Sequence, residues 1–332
     1  MNGENMRTIG ITGTGYYLPS KVVTNKDLAK TIDTTDEWIY SKVGVKERRI
    51  ASNQEATSDL ALYAAQSAIR DAKIHAEDIN LIVLATSSPD MIQPPTASIV
   101  QGKLGAHNAA AFDVGAVCAG FVYALAVGHS MMVAEPRYKH ILVIGAETYS
   151  RIMDWNDRST CVFFGDGAGA CVLSEVSDSK GIQTKYLMTE GQGASVIQFL
   201  AGGSRYPATQ ETLANNMHRF QMEGKAVWDF AIRVMPFAVR KVVEDAGLEV
   251  KDLDWVFPHQ ANINIIKKSM EELGLPMEKT YTTIAQYANT SGASVIITLA
   301  EAAKKGLLKK GDKIALVGFG GGLSYGAVLL EW

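Results

Sequence analysis

Apolar positions along the chain recur in two alternating patterns, one with helical spacing and one typical of buried strands. Segments 57–72 and 225–246 repeat apolar residues at the spacing of an amphipathic helix. Between such segments lie short apolar runs, such as 140–145 and 313–318, which predict buried strands. Pro236 falls inside the second helical segment, so that helix can kink or break there. Strands that alternate with helices predict an α/β fold with right-handed crossovers.

The same helix–turn–strand pattern occurs twice. Residues 69–83 align with 243–257 at an offset of 174 without a gap, with three identities and six matched apolar positions. The apolar run 140–145 aligns with 313–318 at an offset of 173, and both runs end in Gly. Three identities in fifteen positions could arise by chance, but the nearly equal second offset favours an internal duplication.

A duplicated chain predicts two similar halves, which we place at residues 1–175 and 176–332. Each half contains an apolar helix after its central loop, 118–134 in the first and 291–306 in the second. A pseudo-dyad between the halves would put these helices in related positions. Their N-termini could then face one shared site.

One long uncharged stretch raises the question of a membrane. No Asp, Glu, Lys or Arg occurs in the 21 residues between Asp113 and Glu135, a length that could span a bilayer. The stretch nevertheless contains Gly, Ser, His, Cys and Tyr, and a helix that is apolar all round also suits the centre of a large protein. We expect a buried helix that the rest of the chain covers on every side. The chain start shows no basic stretch followed by a long apolar run, as a signal peptide would.

Composition and charge exclude several classes of protein. The 332 residues are 47% hydrophobic and 20% charged, so disorder is excluded as the main state. A net charge of −3 argues against a broadly basic nucleic-acid surface. Three cysteines without a CxxC pair argue against a disulfide framework, and with six histidines they show no metal-ligand spacing. We therefore expect no metal, no nucleic acid partner and a cytoplasmic location.

Cys118 lies at a predicted junction between a strand and a helix. The positive end of a helix dipole stabilises a thiolate, so we expect its pKa to fall. Small neighbours, Ala116, Ala119 and Gly120, leave room for an acyl group. The alternative is that Cys118 packs as a small apolar residue, since cysteine is often buried. Cys161 and Cys171 lack such a position, and we interpret them as packing residues.

A histidine and an asparagine occupy comparable places in the second half. His259 directly follows the repeated strand, where open α/β sheets carry their sites, and a mid-core role is not expected there. Asn289 lies just before the second apolar helix, where it could also be a simple cap. With Cys118 they form the nucleophile, imidazole and amide of an acyl-transfer site, if the two halves converge.

Two glycine-rich runs have different interpretations. Consecutive glycines in 318–326 let the backbone approach a ligand and present N–H groups to it. A phosphate loop is less favoured, because the spacing of known phosphate-binding motifs is absent. The run 164–170 is better interpreted as a tight, close-packed strand entry.

Six segments, in order and spread over essentially the whole chain, resemble β-ketoacyl-acyl-carrier-protein synthase III: TTDEWIYSKVGVKERR, AVCAGF, FGDGAGA, PHQAN, ANTSGAS and GFGGGLSYG. The resemblance implies a thiolase-like homodimer, in which two α/β halves form five layers, αβαβα. It also implies that an acyl-CoA primer condenses with malonyl-acyl carrier protein to start type II fatty acid synthesis. Coenzyme A would enter as a substrate thioester, with no further cofactor.

The resemblance also implies a role for each site residue. Cys118 would be the acylated nucleophile. His259 and Asn289 would bind the malonyl thioester oxygen and stabilise the enolate. The N–H groups of Cys118 and Gly321 would form the oxyanion hole.

The family's coenzyme A tunnel maps onto a further set of residues. Trp38 and Arg158 would hold the adenine between them, which suits Arg–aromatic stacking. The other positions near the coenzyme's path are Thr34, Lys42, Gly224, Lys225 and Asn262.

Three departures from the family pattern leave an alternative open beside fatty acid initiation. Ala288 replaces the usual Gly before Asn289, Asn264 replaces an Arg that helps dock the carrier protein, and Gln93 replaces the residue, often Phe, that floors the acyl pocket across the dimer. They raise the alternative of a starter synthase or acyltransferase of specialised, polyketide-type metabolism. A hydroxymethylglutaryl-CoA synthase is disfavoured because no Glu acid/base can be assigned, and the intact Cys, His and Asn argue against a non-catalytic scaffold.

Overall fold

The computed structural model describes residues 7–176 and 181–332. The expectation that the chain start is no signal peptide falls partly on residues 1–6, which lie outside the described residues. The boundary predicted after residue 175 lies beside 177–180, which are also outside them.

Strands and helices alternate through the described chain. The strands are β1 Ile9–Tyr17, β2 Lys21–Thr24, β3 Glu47–Ile50, β4 Leu81–Ala85, β5 Ala110–Val114, β6 His140–Glu147, β7 Gly167–Glu175, β8 Gly181–Thr189, β9 Ile197–Gln198, β10 Gln221–Met222, β11 Trp255–Pro258, β12 Lys313–Gly320 and β13 Ser324–Glu331. The helices are α1 Asn25–Leu28, α2 Asp36–Val43, α3 Thr57–Ala72, α4 Thr96–Leu104, α5 Gly120–Ala134, α6 Gln210–Ala214, α7 Gly224–Asp245, α8 Ile263–Leu273, α9 Ile284–Tyr287 and α10 Ser294–Lys304.

Two mixed sheets repeat one strand arrangement. The first has the order β1-β7-β6-β4-β5, and the second has the order β8-β13-β12-β11. Strands β4 and β6 pair in parallel, as β11 and β12 do, and the other pairs that match between the sheets are antiparallel. An isolated parallel bridge between Val256 and Thr280 stands where a counterpart of β5 would lie. The aligned sequence segments fall on β4 and β11 and on β6 and β12, as a duplication predicts.

The pleat of each central strand divides its residues between two cores. On β4, Leu81, Val83 and Ala85 face a central core with α5 and α10, whereas Ile82 and Leu84 face an outer core with α3 and α4. Strand β12 divides in the same way between the central core and a second outer core with α7 and α8. Burial on both faces explains why these strands read as continuous apolar runs. The resulting layers confirm the predicted αβαβα fold.

Helix α5 forms part of the central layer but is not fully covered. The stretch Val117–Ala134 is long and apolar enough to cross a membrane by length and composition, and 61% of it is buried inside the fold. The prediction that the chain covers this helix on every side is wrong, because Ser130 is exposed and Val127 and Met131 are only half-buried. One face of α5 therefore lies at the surface of the protomer.

Helix α7 runs without a break through Pro236. Proline has no N–H to donate, so the helical bond to the Ile232 carbonyl is lost at that turn. The neighbouring residues Ala231, Met235, Val239 and Val242 are buried against the second sheet and hold the turn in place. Packing against the second sheet therefore outweighs the tendency of Pro236 to break the helix.

Candidate active site

The two apolar helices begin side by side, each after a short 3₁₀ turn. Val117–Ala119 leads into α5, and Ser291–Ala293 leads into α10. Cys118 Sγ lies 3.4 Å from Ser291 Oγ across this junction. A Cβ placed on Gly292 would stand 2.9 Å from the Val117 carbonyl oxygen, so the two turns pack as closely as backbone allows. The expectation that both helix N-termini face one site is confirmed.

A cavity of about 310 Å³ brings the predicted chemical groups together. Its wall includes Cys118 from the first half and His259 and Asn289 from the second. Most of the remaining wall is apolar and suits an acyl chain. The aromatic residues in it are Trp38, Phe163, Phe164, Phe220, Trp228 and Phe319.

Cys118 is buried, with 7% of its surface exposed. The pKa of the thiol is raised to about 12: burial is the largest cause, the Ser291 hydrogen bond opposes it, and the nearby Glu147 carboxylate adds to it. The expected fall in the pKa is therefore wrong for this resting site. Removal from water outweighs the helix N-terminus, and the thiol is neutral at pH 7.

His259 is held at the end of β11 by backbone and side-chain hydrogen bonds. Its N–H donates to the Val317 carbonyl at 2.8 Å, and its ring Nδ1 lies 2.6 Å from Ser294 Oγ. Only 1% of the residue is exposed, so it is as buried as a core residue although it lines the cavity. Burial lowers the pKa of the imidazole to about 3, which keeps the ring neutral. The ring of Phe319 meets it edge-on at 5.2 Å between centroids.

Asn289 is oriented by its own turn. Its Oδ1 accepts the Ser291 N–H at 2.7 Å, and its backbone N–H donates to the Phe163 carbonyl at 2.9 Å. Within the described part of the chain, Nδ2 has no hydrogen-bond partner, so both of its protons remain available to a ligand in the cavity. The preceding Ala288 has φ 58° and ψ −158°, a backbone region that favours glycine.

The glycine runs support the site by close packing. A Cβ on Gly320 would stand 2.6 Å from the Cys118 amide nitrogen, so only glycine fits behind the nucleophile. Gly321 is buried beside Val117, and its role in an oxyanion hole stays a prediction. In the earlier run, a Cβ on Gly165 would lie 2.5 Å from the Tyr287 carbonyl oxygen, which fits the close-packed interpretation of 164–170.

The residues predicted to bind coenzyme A divide into two groups. Trp38, Lys42, Gly224 and Asn262 line the cavity, and Asn262 also caps α8 by accepting the Asn264 N–H. The other three predicted residues do not line the cavity. Thr34 has a buried Oγ1 without a hydrogen-bond partner, and Lys225 is exposed and pairs with Asp229. The guanidinium of Arg158 lies over the Trp38 ring, 4.9 Å from its centroid.

The structure places two of the three positions that depart from the family pattern, Gln93 and Asn264. Gln93 is exposed in the loop before α4 and lies outside this protomer's cavity. Asn264 donates from Nδ2 to the carbonyls of Ser41 and Lys42, and so ties α8 to α2.

Sequence reasoning missed four residues that contact the site. Glu147 and Ser291 lie behind Cys118, and Ser294 and Phe319 lie against His259. One signal was available: Glu147 is a single acidic residue at the end of the apolar run HILVIGAE. The packing residues Cys161 and Cys171 are buried, as predicted. Among the described residues, no group of three His, Cys, Asp or Glu side chains could hold a metal ion.

Comparisons with known proteins agree over the full length. The family models for 3-oxoacyl-[acyl-carrier-protein] synthase III and for its C-terminal part match residues 112–191 and 243–332. The chain is 50% identical over 323 residues to β-ketoacyl-[acyl-carrier-protein] synthase III of Caldanaerobacter subterraneus, covering 97% of both chains. It is 47% identical to that of Clostridium acetobutylicum, covering 98% of this chain and 99% of the relative.

Solved structures give the same result. The 3-oxoacyl-[acyl-carrier-protein] synthase III of Aquifex aeolicus has a TM-score of 0.91 at 42% identity, covering 98% of this chain and all of the other. The priming β-ketosynthase of the R1128 polyketide pathway has a TM-score of 0.92 at 31% identity, covering 100% and 98%. The predicted family and enzyme class are confirmed. The chain belongs to the β-ketoacyl-acyl-carrier-protein synthase III family, thiolase-like condensing enzymes of the acyltransferase type in fatty acid biosynthesis.

Proposed function

We propose that this chain condenses an acyl-CoA primer with malonyl-acyl carrier protein through an acyl group carried on Cys118. The observation that supports this most strongly is the single cavity lined by Cys118, His259 and Asn289. Two halves of the chain contribute to it, and a neutral thiol, a neutral imidazole and a free amide face one apolar space.

The first step is acyl transfer to the thiol. The Cys118 sulfur loses its proton and attacks the thioester carbon of the primer. The new S–C bond forms, the bond from that carbon to the coenzyme A sulfur breaks, and coenzyme A leaves as a thiolate that takes a proton from solvent. The tetrahedral intermediate carries a negative oxygen, which the N–H groups of Cys118 and Gly321 would stabilise. Gly320 behind the nucleophile lets these backbones approach each other.

The second step is decarboxylation of the malonyl group. Ser294 Oγ accepts the Gln260 N–H at 3.2 Å and has its own proton to give to Nδ1 of His259. The ring proton then resides on Nε2, which donates to the malonyl thioester oxygen together with Nδ2 of Asn289. Two donors at the developing enolate favour loss of carbon dioxide. The resulting carbanion attacks the acyl carbon, the S–C bond to Cys118 breaks, and the β-ketoacyl product remains on the carrier protein.

Coenzyme A binding requires a movement at the cavity mouth. An aromatic base makes one van der Waals contact on each face, so the two groups that enclose it must lie about 7 Å apart. Trp38 and Arg158 are 4.9 Å apart, so Arg158 must swing away for the adenine to enter. Arg158 is exposed, which makes such a swing inexpensive. We propose that no cofactor beyond the coenzyme A thioester is used.

We further propose a cytoplasmic homodimer. Strand β5 pairs only with β4 within the described chain, so its outer edge offers free N–H and C=O groups to a second copy. Beside it, Ile92 is 80% exposed and Met91 is also exposed, and the open face of α5 presents Val127 and Met131 beside Ser130. Gln93 on the same loop would then reach the partner's acyl pocket.

A condensation assay tests the proposed function. Purified protein with acyl-CoA and malonyl-acyl carrier protein should release carbon dioxide and form a β-ketoacyl carrier protein, and Cys118→Ala should abolish product. Acetyl or short branched primers support fatty acid initiation, whereas long or aromatic primers support the specialised-metabolism alternative suggested by Gln93 and Asn264. No product with any primer contradicts the proposal.

A further inference from the structure

Glu147, the last residue of β6, is fully buried directly behind the nucleophile. Every group within hydrogen-bond distance of its carboxylate is an N–H or a hydroxyl. Oε2 accepts from Ser88 Oγ at 2.6 Å, Ser87 N at 3.1 Å and Thr86 Oγ1 at 3.4 Å. Oε1 accepts from Ser87 Oγ at 2.9 Å, Ser87 N at 3.3 Å, Ser291 Oγ at 3.2 Å and Gly292 N at 3.3 Å.

No Lys, Arg or His of the described chain forms an ion pair with this carboxylate. A buried carboxylate without a cation is costly even when it is well hydrogen-bonded. Burial accordingly raises the pKa of Glu147, which makes the carboxylate a better proton acceptor than one in water. A glutamine at this position would keep one acceptor oxygen and turn an N–H₂ group toward donors, so a structural role and a role as base must be separated by experiment.

A continuous path joins this carboxylate to the nucleophile. Cys118 Sγ lies 3.4 Å from Ser291 Oγ, and Ser291 Oγ lies 3.2 Å from Glu147 Oε1. A serine hydroxyl can accept one proton while it donates another, so it can link a thiol to a carboxylate. The other ionisable side chain at this point is Tyr149, whose hydroxyl contacts Ser87 Oγ at 2.9 Å and whose burial raises its pKa.

We infer that Ser291 relays the Cys118 thiol proton to Glu147, which holds it while Cys118 carries the acyl group. This inference rests on the acyl-Cys118 intermediate proposed above. It gives the neutral, buried thiol a base, and it leaves His259 free to act as a donor to the enolate.

The proton balance closes over one cycle. During acylation the S–C bond forms at Cys118, the thiol proton moves to Ser291 Oγ, and the Ser291 proton moves to Glu147 Oε1. Coenzyme A leaves as thiolate and takes a proton from solvent. During condensation the S–C bond breaks, Cys118 leaves as thiolate, and Glu147 returns its proton through Ser291. The cycle consumes one solvent proton, as replacement of the malonyl carboxylate by a carbon–carbon bond requires.

Single-turnover acylation by acyl-CoA is the first test, read from intact mass against time. We expect Glu147→Gln to slow acylation about 100-fold and Ser291→Ala about tenfold, as loss of a general base does. The acyl-CoA concentration that gives half the maximal rate should not change, since neither residue lies in the acyl cavity. Matched controls remote from Cys118 are Glu301→Gln and Ser174→Ala, each a hydrogen-bonded, largely buried side chain. They should acylate at the rate of the unmodified protein.

A second measurement separates a relay from a structural role. Cys118→Ala removes the thiol, so malonyl-carrier-protein decarboxylation in that variant depends on His259 and Asn289 alone. Adding Glu147→Gln should leave this decarboxylation unchanged if Glu147 acts on the thiol proton. A parallel loss of decarboxylation would show that Glu147 only supports the Asn289 turn, and unchanged acylation in Glu147→Gln or Ser291→Ala would also overturn the relay. If the unmodified protein never acylates, the proposed function fails and the relay fails with it.

Discussion

Val117 and Ser291, 174 positions apart, adopt the same left-handed backbone, with φ of 48° and 47°. Each begins the 3₁₀ turn that leads into a central helix, and each therefore occupies the equivalent place in its half. A positive φ is costly for any residue with a side chain, and most for a β-branched one such as Val117. The strain is retained at the two turns that bring Cys118 and Ser291 together.

The backbone at Ala288 predicts a stabilising substitution. A φ of 58° with ψ of −158° favours glycine, and relaxation of this strain outweighs the lost methyl and the added freedom of the unfolded chain. We expect Ala288→Gly to raise the free energy of unfolding by about 1 kcal/mol. Urea denaturation measures it, with Ala293→Gly as the control that should destabilise because its φ is within the range of ordinary residues. A less stable Ala288→Gly protein would contradict this interpretation.

The division of labour in the cavity predicts that two half-reactions respond separately. His259→Ala and Asn289→Ala should each lower decarboxylation of malonyl-acyl carrier protein by about 100-fold or more, because a donor to the enolate is lost. Acylation of Cys118 should fall much less, since neither side chain hydrogen-bonds the thiol. Rapid-quench measurement of each step separately checks this. Equal losses in both steps would assign the two residues to the nucleophile instead.

Burial of His129 predicts a stability that falls in acid. Desolvation, and then the Lys185 ammonium 3.0 Å from its Nδ1, lower the pKa of His129 to about 4. The unfolded chain binds a proton below about pH 6.5 whereas the folded one does not, so stability is present above pH 6.5 and is lost as the pH falls towards 4. The expected loss from this group is about 1.4 kcal/mol per pH unit. Unfolding midpoints between pH 7 and pH 4 should fall less steeply in His129→Gln, and an unchanged slope would contradict the prediction.

The stacked pair at the cavity mouth predicts an effect on substrate affinity alone. Trp38→Ala should raise the KM for acyl-CoA about tenfold, because one face of the adenine loses its partner, while kcat changes little. Steady-state kinetics with acyl-CoA tests this, and Trp255→Phe on β11 is an aromatic control outside the cavity. A fall in kcat with KM unchanged would place Trp38 in the chemistry rather than in binding.

The sequence predicted the parts of this molecule that depend on pattern. Apolar spacing located both central helices to within three residues, and continuous apolar runs marked strands buried on two faces. The pKa of Cys118 was mispredicted because the local helix start is visible in sequence, whereas the depth of burial depends on the whole fold. Glu147 lies 29 residues from Cys118 in sequence and contacts it only through Ser291 of the other half. No local sequence pattern predicts a path between residues so far apart in the chain. The exposure of one face of α5 also depends on how the layers assemble, which the sequence of the helix alone does not show.

Intact-mass measurement after incubation with a panel of acyl-CoAs tests whether Cys118 carries the acyl group. We expect one added acyl group per chain, and the best primer should give the fastest adduct. The adduct should map to Cys118 and disappear in Cys118→Ser, while Cys161→Ser and Cys171→Ser retain it, because those thiols are buried away from the cavity. An adduct that survives Cys118→Ser, or no adduct with any acyl-CoA, would show that Cys118 is not the acylated nucleophile.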